Sequence, residues 1–297
     1  MTNVQGEINM EYVTLNTGAK MPIIGFGVFQ IRDHDECKRV VLDAIKTGYR
    51  LIDTAASYMN EEAVGEAIKE AIETGLVKRE ELFITSKMWV QDMKNYETAS
   101  KAIETSLNKL GLEYLDCYLL HQAMGNYFES YRAMEDAYKQ GKLKAIGVSN
   151  FFPAVLANFC ENVEVIPAMN QVELHPYFAQ SDALETMKEY GVQAEAWAPL
   201  AEGKHGIFTD PTLTKIAEKY EKSVAQVVLR WNTQRGVVII PKSTHVERMQ
   251  QNIDTLDFTL TDAEMDVISS MTLDHSEIIN HFDPKLVKML NHHNIHD

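Results

Sequence analysis

The sequence predicts a single closed (β/α)8 barrel, and three observations carry that expectation. Short apolar, β-rich runs alternate with helical patterns from one end of the chain to the other. Eight such runs can be counted, enough to close a barrel. No Pro/Gly/Ser-rich linker and no block of like charge divides the 297 residues. Continuous alternation of this kind calls for parallel strands joined by crossover helices. An open doubly wound sheet is the alternative. The barrel is expected over roughly residues 11–273, with 274–297 as a C-terminal tail.

The elements follow in order. YVTL, NTGAKMP and IIGFGVF read as a hairpin leading into a first buried strand. CKRVVLDAIKTG has helical spacing and stops at Gly48. RLIDTA is a strand, EEAVGEAIKEAIETG a helix ending at Gly75, and LFITSKMW the third strand. YETASKAIETSLNKLG is a helix ending at Gly111, YLDCYLLHQ a strand, and YFESYRAMEDAYKQG a helix ending at Gly141. A glycine closing a helix is the expected C-terminal stop. KAIGVSN, PAMNQVE, VQAEAWAPL and VVIIPKS complete the eight strands, with helical segments between them. TDAEMDVISSM is a final helix, and the His-rich end of the tail reads as solvated or loosely packed.

Composition narrows the function classes. With 45% hydrophobic and 24% charged residues, the chain reads as an ordinary soluble protein. A formal net charge of -15 argues against nucleic-acid binding, which needs basic surface to release counterions. Cys37, Cys117 and Cys160 are odd in number, widely spaced and without CxxC, which fits free thiols in a reducing compartment. MTNVQGEINMEY has neither a basic flank nor an apolar run, and no stretch approaches the roughly 18 apolar residues of a membrane span. A cytoplasmic protein without membrane partners is the expectation.

In a barrel the active site lies at the C-terminal ends of the strands. Polar residues gather there. The second strand ends in Asp53, with Tyr58 in the following loop; the third ends in Lys87, the fourth in His121 and Gln122. The fifth ends in Ser149 and Asn150, the sixth carries Asn170, Gln171 and Glu173, the seventh presents Trp197, and the eighth ends in Lys242 and Ser243. Each has a bland reading: Asp53 as a turn residue, Tyr58 as a surface aromatic, His121 as a core histidine. Lys87 is harder to dismiss, because a buried lysine needs a partner, and Asp53 would satisfy it.

One constellation accounts for Asp53, Tyr58, Lys87 and His121 together. A free tyrosine, with pKa near 10, is a poor acid at neutral pH. A close ammonium favours its phenolate, so Lys87 is expected to lower that pKa, with Asp53 holding Lys87. His121 can hydrogen-bond a carbonyl oxygen and steady negative charge there. What remains is a hydride donor, which no side chain supplies.

With DTAASY, SK, LLH, GVSN, NQVELHP and PKS in this order, the chain resembles the aldo-keto reductase family, from GFGVF to the final helix. The resemblance implies NADPH-dependent reduction of an aldehyde or ketone, with Asp53, Tyr58, Lys87 and His121 as the catalytic tetrad. Tyr58 would be the general acid. It implies that Ser149, Asn150 and Gln171 hold the nicotinamide carboxamide and that the ring stacks on Trp197. Gly27, Val28 and Phe29 match the first loop beside the cofactor, and Pro199 and Leu200 the loop over the pyrophosphate. Asp53 is counted with the cofactor residues as well. Lys242, Ser243 and Arg248 match residues that bind the 2′-phosphate. Asn252, next to Gln251, matches the adenine site. Two cations and a hydroxyl at a helix start form an anion site in any case. GxGxxG is absent: GFG lacks the third glycine and the following helix.

The substrate side departs from the family. HQAMG puts Gln122, Ala123 and Met124 where many relatives have Trp and then Pro. Phe29, Tyr58, Trp89, His121 and Gln122 are the expected substrate contacts, with Tyr49 near them. Ile278, Ile279, His281 and Phe282 are candidates from the tail. The expected state is a monomer, as in most relatives of this type, with no metal. Three rivals remain. One is a catalytically weak barrel acting as a redox-sensing or structural partner, which a broken tetrad would favour. Another is a hydrolase with Asp53 and Glu173 as paired carboxylates. The last is metal binding at His292, His293 and His296.

Overall fold

The computed structural model describes residues 10–276 and 278–297. Most of the N-terminal stretch read for a secretory signal, residues 1–9, lies outside the described residues. Strands β1 (Tyr12–Thr14) and β2 (Lys20–Pro22) pair antiparallel, Tyr12 opposite Pro22. Gly18, at φ +83°, makes the left-handed turn between them. The hairpin has a task. Leu15 and Met21 are buried against Leu51, Phe83, Cys117, Ala145, Ala168 and Val238. These stand at or just before strand starts, so the hairpin plugs the N-terminal end of the barrel. Each buried Leu or Met contributes about 1.5–3 kcal/mol.

The barrel strands are β3 (Phe26–Gly27), β4 (Leu51–Asp53), β5 (Phe83–Met88), β6 (Cys117–Leu120), β7 (Ile146–Ser149), β8 (Met169–Glu173), β9 (Gln193–Trp197) and β10 (Val238–Ile239). They pair in sequence order, all parallel. The ring closes where Ile24 bridges Ile239 in parallel, with Gly25 N–H donating to Ile239 O and Ile239 N–H to Ile23 O. Closure excludes the open doubly wound alternative and leaves no sheet edge.

The crossover helices are α1 (His34–Thr47), α2 (Glu61–Glu73), α3 (Tyr96–Leu110), α4 (Tyr127–Lys139), α5 (Pro153–Cys160), α6 (Ser181–Glu189), α7 (Pro211–Tyr220), α8 (Val224–Gln234) and α9 (Val246–Ile253). Caps set their ends. Asp33, Asn95, Asp210 and Ser223 each accept a first-turn N–H through the side chain. Gly48 and Gly111 stop α1 and α3 in the left-handed region. The apolar stripes of these helices meet the outward faces of the strands in one continuous core. Helix α10 (Asp262–Ser269) follows, and then the tail, with its His-rich end mostly exposed. The tail forms α11 (Pro284–Asn291), whose Val287 and Leu290 pack with Ile295 on Trp89, Val90 and Met124. Among the described residues no helix is long and apolar enough to cross a membrane.

Candidate active site

Strands β4 and β5 deliver the centre of the site. Asp53 and Lys87 are both fully buried, so neither charge is solvated. The Lys87 ammonium spends all three hydrogens: on Asp53 Oδ1 at 2.6 Å, on the Thr54 carbonyl at 2.8 Å and on Tyr58 Oη at 3.3 Å. Tyr58 ends a 3-10 turn, Ala56–Tyr58, that Met59 terminates at φ 56°. Asn60 then fixes the loop. Its Oδ1 accepts from Thr54 Oγ1 at 2.7 Å, and its Nδ2 donates to the Val28 and Ile31 carbonyls at 3.1 Å. The loop carrying Tyr58 is thereby tied to the loop after β3.

The electrostatics correct one expectation. Burial of the Tyr58 hydroxyl raises its pKa, and this outweighs the opposite pull of Lys87, so the net shift is upward. The ring is only half-buried, but the hydroxyl meets an ammonium sealed from water. Desolvation penalises a phenolate by more than one neighbouring cation returns. Tyr58 is therefore a phenol at neutral pH. Burial alone would lower Lys87, but Asp53 and Tyr58 outweigh it and keep the ammonium. Burial likewise pulls Asp53 upward against Lys87. With Lys87 protonated, Asp53 is the anion of the pair.

His121 follows β6, and its ring lies edge-on to Tyr58 at 5.6 Å and to Trp89 at 5.3 Å. Its Nδ1 is 3.2 Å from Ser57 Oγ. Burial, then Lys87 and His281, push its pKa well below the imidazole range. His121 is neutral, and a Ser57 hydroxyl donating to Nδ1 leaves the ring proton on Nε2. Phe29 packs on Tyr58 at 4.9 Å, so Phe29, Tyr58, His121 and Trp89 form one aromatic wall. Gln122 is buried beside it with an unpartnered Oε1. Tyr49 does not join them. It precedes β4 at the opposite end of the strand, packs on Phe26 and donates to the Met249 carbonyl at 2.9 Å. One consequence is testable. The pH profile of kcat/KM for carbonyl reduction should lack an inflection near pH 6.5, because His121 is already neutral there; a loss of rate as pH falls through that value would contradict a neutral His121.

Strands β7 to β9 supply amides. Asn150, at φ 61°, donates to the His121 carbonyl and to Ser149 Oγ, both at 3.1 Å. Its Oδ1 accepts the Trp197 indole N–H at 2.9 Å. Both Asn150 Nδ2 hydrogens are thus engaged, while Oδ1 keeps a second lone pair for a further donor. Ser149 Oγ donates to the Gln171 carbonyl at 2.9 Å. Gln171 Nε2 donates to Asp53 Oδ2 at 2.9 Å and to Glu195 Oε2 at 2.6 Å. Gly27 runs against β10, where a Cβ would stand 2.9 Å from the Ile240 carbonyl. Trp197 is half-buried and is followed by Pro199, Leu200 and a loop with left-handed residues at Ala201, Glu202, Gly203, His205 and Gly206.

After β10, Lys242 is exposed with Nζ 3.2 Å from Gln30 Oε1. Ser243 is buried and closes a turn on His245. Helix α9 begins there without a side-chain cap, and Arg248 and Gln251 are exposed on it while Asn252 is buried. An uncapped N-terminus next to Lys242, Ser243 and Arg248 suits a phosphate.

The tail reaches the aromatic wall at Trp89. Trp89 Nε1 donates to the His293 carbonyl at 2.7 Å, and Gln91 binds the backbone of Ile295 and His296. His296 lies 2.9 Å from Asp92. His281 packs on Phe152, which also meets the exposed Phe282. Ile278 and Ile279 donate backbone N–H groups to Ser276 Oγ. Ser276 in turn bonds Glu173, whose other oxygen is 2.9 Å from His175. Glu173 and Asp53 thus have separate hydrogen-bond partners, and Asp53 is the one held by Lys87. Among the described residues no three His, Cys, Asp or Glu side chains group to hold a metal. Ser57, Asn60 and Glu195 were not singled out by the sequence; a lone carboxylate inside the apolar run VQAEAW is the signal that could have found Glu195.

Comparisons with known proteins show what the chain is similar to. The model of the aldo/keto reductase family matches residues 23–272. The chain is 48% identical over 263 residues to the glyoxal reductase of Bacillus subtilis, covering 88% of this chain and 93% of that protein. It is 47% identical over 258 residues to the uncharacterized oxidoreductase YtbE of the same organism, covering 87% and 91%. Among solved structures, an aldo-keto reductase of Bombyx mori in complex with NADP matches with a TM-score of 0.85 at 38% identity, covering 90% of this chain and 94% of that one.

Proposed function

The chain belongs to the aldo/keto reductase family, and from that premise we propose that it reduces aldehydes or ketones to alcohols with NADPH. The observation that carries the proposal is the threefold bonding of Lys87 to Asp53, the Thr54 carbonyl and Tyr58. Because the ammonium donates to Tyr58 Oη, the phenol hydrogen is not needed inward and faces the mouth. When bound at this mouth, NADPH would supply the hydride for the carbonyl carbon. Negative charge then develops on the carbonyl oxygen, and the neutral His121 donates a hydrogen bond to it. An alkoxide is a stronger base than a phenolate, so Tyr58 gives up its proton even with a raised pKa. Lys87 stabilises the phenolate left behind, and Asp53 keeps Lys87 in place.

Gln171 and Ser149 would hold the nicotinamide carboxamide in this reading, with Asn150 through the second lone pair of its Oδ1, and Trp197 would offer a π-face to the ring. Lys242, Ser243, Arg248 and the α9 N-terminus take the 2′-phosphate, with Gln251 and Asn252 toward adenine. The protein is a cytoplasmic monomer, folded as one domain, and its aromatic wall of Phe29, Tyr58, Trp89 and His121 takes a small carbonyl. The relative named glyoxal reductase makes a 2-oxoaldehyde the first substrate to test. The cofactor assignment is tested by fluorescence. NADPH should quench Trp197 emission, and NADH should bind at least about tenfold more weakly, the value of one lost charge-assisted contact of roughly 1.5–3 kcal/mol. Equal affinities would refute the phosphate site.

A further inference from the structure

Two buried carboxyl groups, Asp53 and Glu195, lie near a single buried cation. Asp53 on β4 has that cation, Lys87, at 2.6 Å. Glu195 on β9 is fully buried and has none. Its Oε2 accepts from Nε2 of Gln171, its register neighbour on β8, at 2.6 Å. The same Nε2 donates to Asp53 Oδ2. A primary amide nitrogen carries two hydrogens, so both are committed. The amide oxygen is turned away from the two carboxyl groups. Glu195 Oε1 is buried and unpartnered. An anionic oxygen without a donor there costs much more than a hydroxyl.

We propose that Glu195 is a positioning residue that works as a neutral carboxylic acid, sharing the Gln171 amide hydrogens with Asp53 and so fixing the amide oxygen toward the nicotinamide. This rests on the role given to Gln171 under the proposed function. The groups facing Glu195 are Asp53 from β4, Lys87 from β5, Cys117 from β6, Gln171 from β8 and Tyr58 from the loop after β4. Burial raises Cys117 and Tyr58, so both are neutral and only Asp53 and Lys87 are charged. When two carboxyl groups share one ammonium, the one out of contact keeps its proton. Burial first, and then Asp53, push Glu195 well above the usual carboxylate range, against the weaker pulls of Gln171 and Lys87.

An acid held neutral at this place can ionise when positive charge settles near Gln171. The oxidised nicotinamide is positive and the reduced one is not. Binding of NADP⁺ should therefore release the Glu195 proton, whereas binding of NADPH should not.

Glu195→Gln keeps the shape and the acceptor but cannot ionise. In the cofactor-free proteins at neutral pH, the infrared difference spectrum of wild type minus E195Q should show the carbonyl stretch of a protonated carboxylic acid. It should give way to carboxylate bands at alkaline pH. A carboxylate difference at neutral pH overturns the proposal. From about pH 7 to about pH 9, wild-type affinity should shift several-fold toward NADP⁺ relative to NADPH, and E195Q should show no such shift. Equal shifts in both proteins overturn it too. Failure of both to bind either dinucleotide would refute the function and the role of Gln171, while the infrared band would still report the neutral acid. Stability gives a further check. A pKa raised in the folded state favours folding at low pH and is lost as pH rises through it. Wild type should thus lose stability from the ordinary glutamate range upward, and E195Q should lose less; parallel curves would count against a buried neutral acid.

Discussion

Tyr58→Phe should lower kcat for aldehyde reduction by roughly 10²- to 10⁴-fold, the range a positioned general acid supplies, while NADPH affinity stays nearly unchanged. The phenyl ring keeps its contacts with Phe29 and His121. What is lost is one oxygen, the acceptor of the third Lys87 hydrogen. The expected pattern is a fall in kcat and kcat/KM together, because the missing interaction matters most in the transition state. Single-turnover kinetics with NADPH bound would read it. A variant with wild-type turnover would mean that the proton comes from elsewhere, Ser57 or His121 being the other donors at the wall.

Lys87→Met should abolish most turnover and also destabilise the fold. The substitution leaves Asp53 as a buried carboxylate whose Oδ1 has lost its cation. Breaking such a pair costs about 3–5 kcal/mol, which for a chain of this size is a fall in Tm of roughly 5–10 °C. The sign with pH follows. Without Lys87 the folded-state pKa of Asp53 rises further, so the variant is least impaired at acid pH and loses ground as pH rises. The double variant Asp53→Asn/Lys87→Met removes both charges and should recover much of the stability but none of the turnover. Thermal unfolding and NADPH oxidation on the three proteins separate the two effects. A double variant that regained activity would exclude Lys87 from the chemistry.

The pattern of the barrel was legible because each strand is an apolar run that ends in polar residues. Asp53, Lys87 and His121 could be found as polar groups closing RLID, FITSK and YLLH. Their convergence on Tyr58 is a consequence of parallel pairing of β4, β5 and β6, which places those ends side by side. The direction of the Tyr58 shift was not legible. It depends on how completely the hydroxyl is desolvated, and sequence gives the neighbours of a group but not its depth. Glu195 was hidden for a similar reason: alternation in VQAEAW puts Gln193, Glu195 and Trp197 on one face, but not at one depth. The His-rich end of the tail is mostly exposed, as its composition suggested. The packing of Val287, Leu290 and Ile295 on Trp89 and Val90 was not read from that composition. Met124 of the HQAMG edge is buried in the same cluster.

Transfer of hydride and a proton to a carbonyl at this mouth should show as a fall in NADPH absorbance when the purified protein meets aliphatic and aromatic aldehydes, methylglyoxal, keto sugars and keto steroids. NADPH consumption should be matched one to one by alcohol for at least the small aldehydes, with little consumption of NADH. Tight NADPH binding with no consumption by any of these carbonyls would contradict that transfer and leave a barrel that binds the cofactor without using it.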